Sequence, residues 1–228
     1  MNSGEIIIGI LVLIVLYLVY ITFIRKYLGL TRVSVDNRQW NVISAYQNKQ
    51  EAAQLMNRVN IVMINFMRRL KKKYHIDEPS ELSSREGISH YEIVNSPNDV
   101  YNIVDHLLDN YNPEKFYEND PTIANETSYT MNKGAAMYLC LRSKDDPSIL
   151  VDFDTLLFVL IHESAHIANY NDIGHSVKFW TVFKFLLHEA REAGIYTPID
   201  YRAYPKDYCG LSINYQPLFD DNLPNLWE

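Results

Sequence analysis

Five consecutive residues, His162-Glu163-Ser164-Ala165-His166, have the types and the spacing for metal-assisted hydrolysis. On an α-helix, residues four apart differ by about 40° around the axis, so the two histidines project from one face a turn apart. Two imidazoles so placed can share one Zn²⁺, and Glu163 can then take a proton from a water held by the ion. A five-residue match also arises by chance on ordinary buried helices, so the next candidate ligand matters. It is His175, within Gly174-His175-Ser176, with eight residues separating it from His166. Asp172, nearer in the chain, and Glu189, farther along, are alternatives for that third position.

Positioning these groups takes two helices and a strand pair. Asp152 or Asp154 can cap a helix whose apolar run, Thr155 to Ile161, buries it and carries it to about Asn169. Polar Tyr170-Asn171-Asp172 and Gly174 reverse the chain. Ser176 then caps a second helix over Val177 to Ala193, stopped by Gly194, with Phe179, Trp180, Phe183 and Leu187 packing it on the first. Upstream, Thr127 to Met131 and Ala135 to Arg142 predict two strands joined by Asn132-Lys133-Gly134, a turn built from residues that accept positive φ. The exposed edge of that hairpin, just ahead of the HExxH helix, can pair with an extended peptide and lay its scissile bond over the metal.

The chain has 228 residues, 47% hydrophobic and 21% charged, enough for one domain plus an appendage. Its formal net charge of -7 argues against a general nucleic-acid binder. Residues 6–24 form an apolar run about 28 Å long as a helix, which predicts a transmembrane anchor. Met1-Glu5 carries no basic side chain and no small-residue cleavage site follows, which argues against a signal peptide. Arg25 and Lys26 behind the run place the N-terminus outside and the body on the cytoplasmic side, where Cys140 and Cys209 would stay thiols. From Asp36 to Tyr74 apolar residues recur at helical spacing, which predicts one long packing helix, or two broken near Asn48-Gln50. It ends in the basic stretch Arg68 to Lys73, where anionic lipid or nucleic-acid backbone could bind, although basic residues commonly just solvate a helix end. Asp77 to Asn95 reads as a linker. Ser96-Pro97 opens a further helix that stops near Tyr111. His75, His90 and His106 have no companion at ligand spacing.

The hairpin segment Ser128 to Gly134, the strand end Leu139-Cys140-Leu141-Arg142, the HExxH and the His175-Ser176-x-x-Phe179-Trp180 run together resemble WLM metalloproteases and are similar to SprT/Spartan-like zinc peptidases. The resemblance covers roughly residues 125–190. WLM proteins place five residues between HExxH and the third histidine. The eight here are closer to the SprT style of Gly-His ahead of an aromatic. The resemblance implies a zinc-dependent endopeptidase in which His162, His166 and His175 hold Zn²⁺, Glu163 is the general base, and the substrate is a protein or peptide. Taken with the pattern along the chain, the expected fold is α+β: tail and transmembrane anchor over 1–26, a long amphipathic helix or stalk over 27–76, and a mainly helical domain over 77–228, which the resemblance marks as zincin-like, with core 97–194, coil-rich tail 195–228 and a small β-hairpin beside the HExxH helix. The rival from another class is a membrane-tethered adaptor with a non-catalytic zinc site, for which four protein ligands are the norm. For the oxyanion partner, the tyrosines after Gly194, Tyr208 among them, are candidates.

Overall fold

The computed structural model of the protein describes residues 3–20, 29–76, 97–123, 126–170 and 172–226. Its first element, α1 (Ser3–Val19), has 17 residues. At 1.5 Å per residue it spans roughly 26 Å, short of the roughly 30 Å hydrocarbon core of a bilayer. Among the described residues no helix is long and apolar enough to cross a membrane. The expected single-pass anchor over 6–24 is therefore corrected, and with it the cytoplasmic placement that depended on it. Residues 21–24 of that run lie outside the described residues.

The stretch expected to be a stalk is instead part of the body. Strands β1 (Leu30–Val35) and β2 (Arg38–Ile43) form an antiparallel hairpin across Asp36 and Asn37, both at positive φ (48° and 64°). Alternation drives it: Val33, Trp40 and Val42 turn inward and are buried, while Arg32 and Gln39 face out. Helix α2 (Lys49–Lys73) follows, shorter than expected because the hairpin takes residues 36–43 and a turn leads to Lys49. Its apolar stripe, Leu55, Met56, Val59, Met63, Phe66 and Leu70, is buried in the same core as the HExxH helix. The basic end of α2 is partly engaged: Lys73 Nζ donates to both carboxylate oxygens of Glu189 at 2.6 and 2.7 Å, and Arg69 donates to the carbonyl of Glu192. Residues 77–96, including the expected linker, lie outside the description.

Helix α3 (Pro97–Asn110) ends close to its expected stop. Strand β3 (Phe116–Glu118) then enters the main sheet, followed by β4 (Tyr129–Met131) and β5 (Ala136–Leu139), the expected hairpin. The sheet runs β1-β2-β3-β5-β4, with β2/β3 and β3/β5 parallel and the outer pairs antiparallel. This leaves β4 on the edge. Helices α4 (Phe153–Ala168) and α5 (Val177–Glu192) pack against each other; α4 also packs on α3 and β4, while α2 packs on β1 and β2. Beyond them the chain forms a small hairpin, β6 (Lys206–Tyr208) and β7 (Leu211–Ile213), where irregular coil was expected.

Two buried features tie the sheet together. Arg142, just past β5, donates from Nε to Glu118 Oε1 at 2.6 Å, with both side chains fully buried. Glu118 Oε2 also accepts from the Ile43 amide at 2.6 Å, and Asn48 and the Pro147 carbonyl accept from the guanidinium. Burial pushes the Glu118 carboxyl up, and Arg142 and the Ile43 amide oppose that shift. The second feature is a disulfide between Cys140 and Cys209, with their Cα atoms 6.1 Å apart. The expectation of two thiols is corrected. The tight β6–β7 turn, with Cys209 at φ 51°, folds back onto the end of β5 and brings the two sulfurs together.

Candidate metal centre

Helix α4 starts as its sequence dictates. The Asp152 carboxylate accepts from the Thr155 amide and hydroxyl, each at 2.9 Å, and satisfies an otherwise orphaned donor of the first turn. The apolar run Leu156 to Ile161 that follows is buried, and the next polar side chains along the helix are those of the HExxH segment. Beyond the helix the chain reverses at Gly174, whose φ of +79° lies in the left-handed region that favours glycine. Ser176 then accepts from the Phe179 amide and caps α5.

This path carries His175 back over the first two histidines. His175 Nε2 lies 3.0 Å from His162 Nε2 and 3.2 Å from His166 Nε2, and one ligand atom from each of the three falls within 4.8 Å of the others. Tetrahedral zinc with bonds of about 2.0–2.1 Å separates its nitrogen ligands by about 3.3–3.4 Å. Both spacings from His175 are within a few tenths of an ångström of that value. The donor set fits as well. Burial, reinforced by the neighbouring imidazoles, lowers His162 well below the ordinary range and His166 to about 4; burial also lowers His175. All three rings are neutral at pH 7 and can offer a lone pair. Their orientation is set by aromatic neighbours: Phe179 stacks on His166 at 4.2 Å, Phe183 meets His162 edge-on at 5.1 Å, and Trp180 lies 5.3 Å from His175.

The alternatives for the third ligand are engaged elsewhere. Glu189 is held by Lys73, and the Asp172 carboxylate accepts from Ser176 Oγ and from Asn169 Nδ2 at 3.4 Å. Among the described histidines outside the triad, His106 stacks on Tyr170 at 5.0 Å. His90 lies outside the description.

Glu163 sits beside the triad, only 3% exposed. Burial raises its carboxyl to about 7, while Thr130 opposes the rise by donating its hydroxyl to Glu163 Oε2 at 2.9 Å. Thr130 belongs to edge strand β4, and its contact was not apparent from the sequence. A threonine 33 residues from its partner carries no spacing signal. Lys133, at the tip of the β4–β5 turn, was missed as well. It donates to the carbonyls of Asn169, at 2.7 Å, and Asp172. The turn is packed tightly: a Cβ on Gly134 would meet the Asn110 carbonyl oxygen at 2.4 Å.

The triad and Glu163 line a cleft of about 880 Å³, walled by β4 on one side and by the β6–β7 hairpin and Tyr215 on another. Tyr208 reaches this cleft but does not serve as expected. Its hydroxyl donates to the Cys140 carbonyl at 2.9 Å and lies 2.6 Å from Ser128 Oγ, so its hydrogen is already used.

No family model matches the chain, and no solved structure matches it. Similar chains occur in viruses. An uncharacterized protein of Acanthamoeba polyphaga mimivirus is 40% identical over 98 residues, 43% of this chain and 48% of its own length. One of Invertebrate iridescent virus 3 is 36% identical over 107 residues, 46% of this chain and 62% of its own. One of Invertebrate iridescent virus 6 is 35% identical over 83 residues, 36% of this chain and 44% of its own. The chain thus spans about half the length of these relatives.

Proposed function

We propose that the protein is a zinc-dependent peptidase that hydrolyses peptide bonds in extended substrates. The observation that carries this reading is the convergence of three neutral imidazole nitrogens beside a buried, near-neutral carboxyl group on the floor of an open cleft. His162, His166 and His175 would hold the ion. When bound, it would supply Lewis acidity, acidifying a water and polarising the scissile carbonyl.

The remaining work falls to the chain's own groups. Among the described residues β4 is the outer strand of the sheet beside the cleft, and a peptide lying extended along it would have its carbonyl fixed against the triad. Glu163, near its midpoint of titration at neutral pH, takes the proton from the attacking water and passes it to the amine nitrogen as the C–N bond breaks. Thr130 holds that carboxylate in place. The aromatic seat of Phe179, Trp180 and Phe183 keeps the imidazoles from turning away. The similarity to WLM and SprT-like peptidases in the segment around these residues supports the same reading.

A purely structural zinc site is normally closed by four protein ligands. Among the described residues the cluster offers three, on the wall of a cleft large enough for a peptide. The deciding experiment is Glu163→Gln assayed on an unstructured protein substrate. Zinc content should be unchanged while cleavage falls by about 10²–10⁴-fold, the usual contribution of general acid–base catalysis. A zinc-loaded Glu163→Gln protein that cleaves at the native rate would refute the assignment.

A further inference from the structure

The least conventional part of this centre is the eight-residue loop between His166 and His175. Such a loop must be held, because a ligand on a freely moving segment contributes little to metal affinity. Its first two residues, Ile167 and Ala168, are still buried in α4, but beyond the helix the hydrophobic contribution is small: Ile173 is 94% exposed. What the loop has is polar bracing. Asn169 Nδ2 and Ser176 Oγ both donate to the Asp172 carboxylate, which closes the loop on itself. Besides His106, which stacks on Tyr170, a second side chain from outside enters that frame. Lys133 Nζ donates to the carbonyls of both Asn169 and Asp172, so a single ammonium joins the last residue of the HExxH helix region to the approach to His175.

The route by which Lys133 arrives is also built. Asn132, Lys133 and Gly134 all lie at positive φ (43°, 55° and 112°), and Gly134 is wedged against the Asn110 carbonyl oxygen. The turn is therefore fixed at its base by α3 and reaches the loop through its tip. Carbonyls at a helix C-terminus attract a cation, which gives the ammonium a place to sit in addition to its hydrogen bonds.

We infer that Lys133 is a positioning residue for the third metal ligand: it clamps the Asn169–Asp172 carbonyls so that His175 stands over His162 and His166. The inference rests on the reading of the triad as a zinc site. It assigns the tip of the β4–β5 hairpin a task in metal retention. By the same link, the strand that would carry the peptide and the loop that carries the ligand are held in one register.

The test is zinc affinity, measured by competition with a chromophoric chelator on the full chain, for wild type, Lys133→Met, His175→Ala and the double variant. Supporting residues of this kind typically contribute 10- to 100-fold in metal affinity. Lys133→Met should therefore bind zinc about 10- to 100-fold more weakly than wild type, with its thermal unfolding midpoint little changed. In the His175→Ala background the same substitution should have almost no further effect, since the clamp acts through His175. Lys133→Arg, which keeps a cation with several donors, should recover most of the loss. Equal zinc affinity in wild type and Lys133→Met would overturn the inference and leave the zinc site standing. So would an equal loss in both backgrounds, which would mark a general destabilisation. Wild type that binds no zinc would remove the zinc reading itself, and the inference with it.

Discussion

Removing the Cys140–Cys209 crosslink is the perturbation with the clearest magnitude. The bond closes a loop of 69 residues. In the chain-entropy model, freeing a loop of that length returns about 4 kcal/mol of conformational freedom to the unfolded state. For a domain of this size that corresponds to a fall of roughly 8–16 °C in the unfolding midpoint. The native state should survive the change, because Tyr208 still bonds the Cys140 carbonyl and Ser128, and Ser128 accepts from the Cys140 amide at 2.9 Å. The loss should therefore appear as easier global unfolding, which also speeds exchange of the most protected core amides, and as additional local exchange in the β6–β7 hairpin. Scanning calorimetry of wild type with and without a dithiol reductant, set beside the Cys140→Ala/Cys209→Ala double variant, measures the first quantity. Hydrogen exchange over residues 206–213 measures the second. Two titratable thiols in native protein purified without reductant would refute the reasoning at its root, and an unchanged midpoint on reduction would refute its magnitude.

The other predictions concern single contacts. Thr130→Val removes the hydroxyl that opposes the upward shift of Glu163, so the carboxyl should titrate still higher. Because the base must be ionised to act, the acidic limb of the pH–rate profile should move to higher pH, with zinc content unchanged; a limb that stays in place would show that the hydroxyl has no hold on the carboxylate. Arg142→Met leaves Glu118 buried without its partner and should cost about 3–5 kcal/mol by denaturant titration. Adding Glu118→Met should recover most of that loss, and a double variant no more stable than the single one would show that the pair is not the source of the loss.

The sequence carried much of the site and less of the scaffold. HExxH on a capped helix, Ser176 opening the next one, Gly194 stopping it and Asn132-Lys133-Gly134 turning the hairpin are local signals, and each lies within a few residues of its effect. The β1–β2 hairpin was hidden because the helical periodicity of Leu55 to Leu70 extends backward plausibly through Trp40 and Val42. The countersignal, Asp36-Asn37 between alternating Val33, Val35, Trp40 and Val42, is a two-residue turn. The disulfide was out of reach because two cysteines 69 residues apart have no framework to pair them. The N-terminal run misled for a different reason: hydropathy counts apolar residues, whereas α1 ends at Val19. Thr130 on Glu163 and Lys133 on the ligand loop are tertiary contacts, and no spacing rule predicts either one.

The brevity of β4 has a consequence for the protein's own solubility. An open strand edge is a template for any chain that can pair with it, including a second copy of the same molecule. β4 has only three residues, about 10 Å of edge, and it ends in a run of left-handed backbone that no partner strand can follow. A strand this short, closed off by that turn, offers little length on which a sheet could grow.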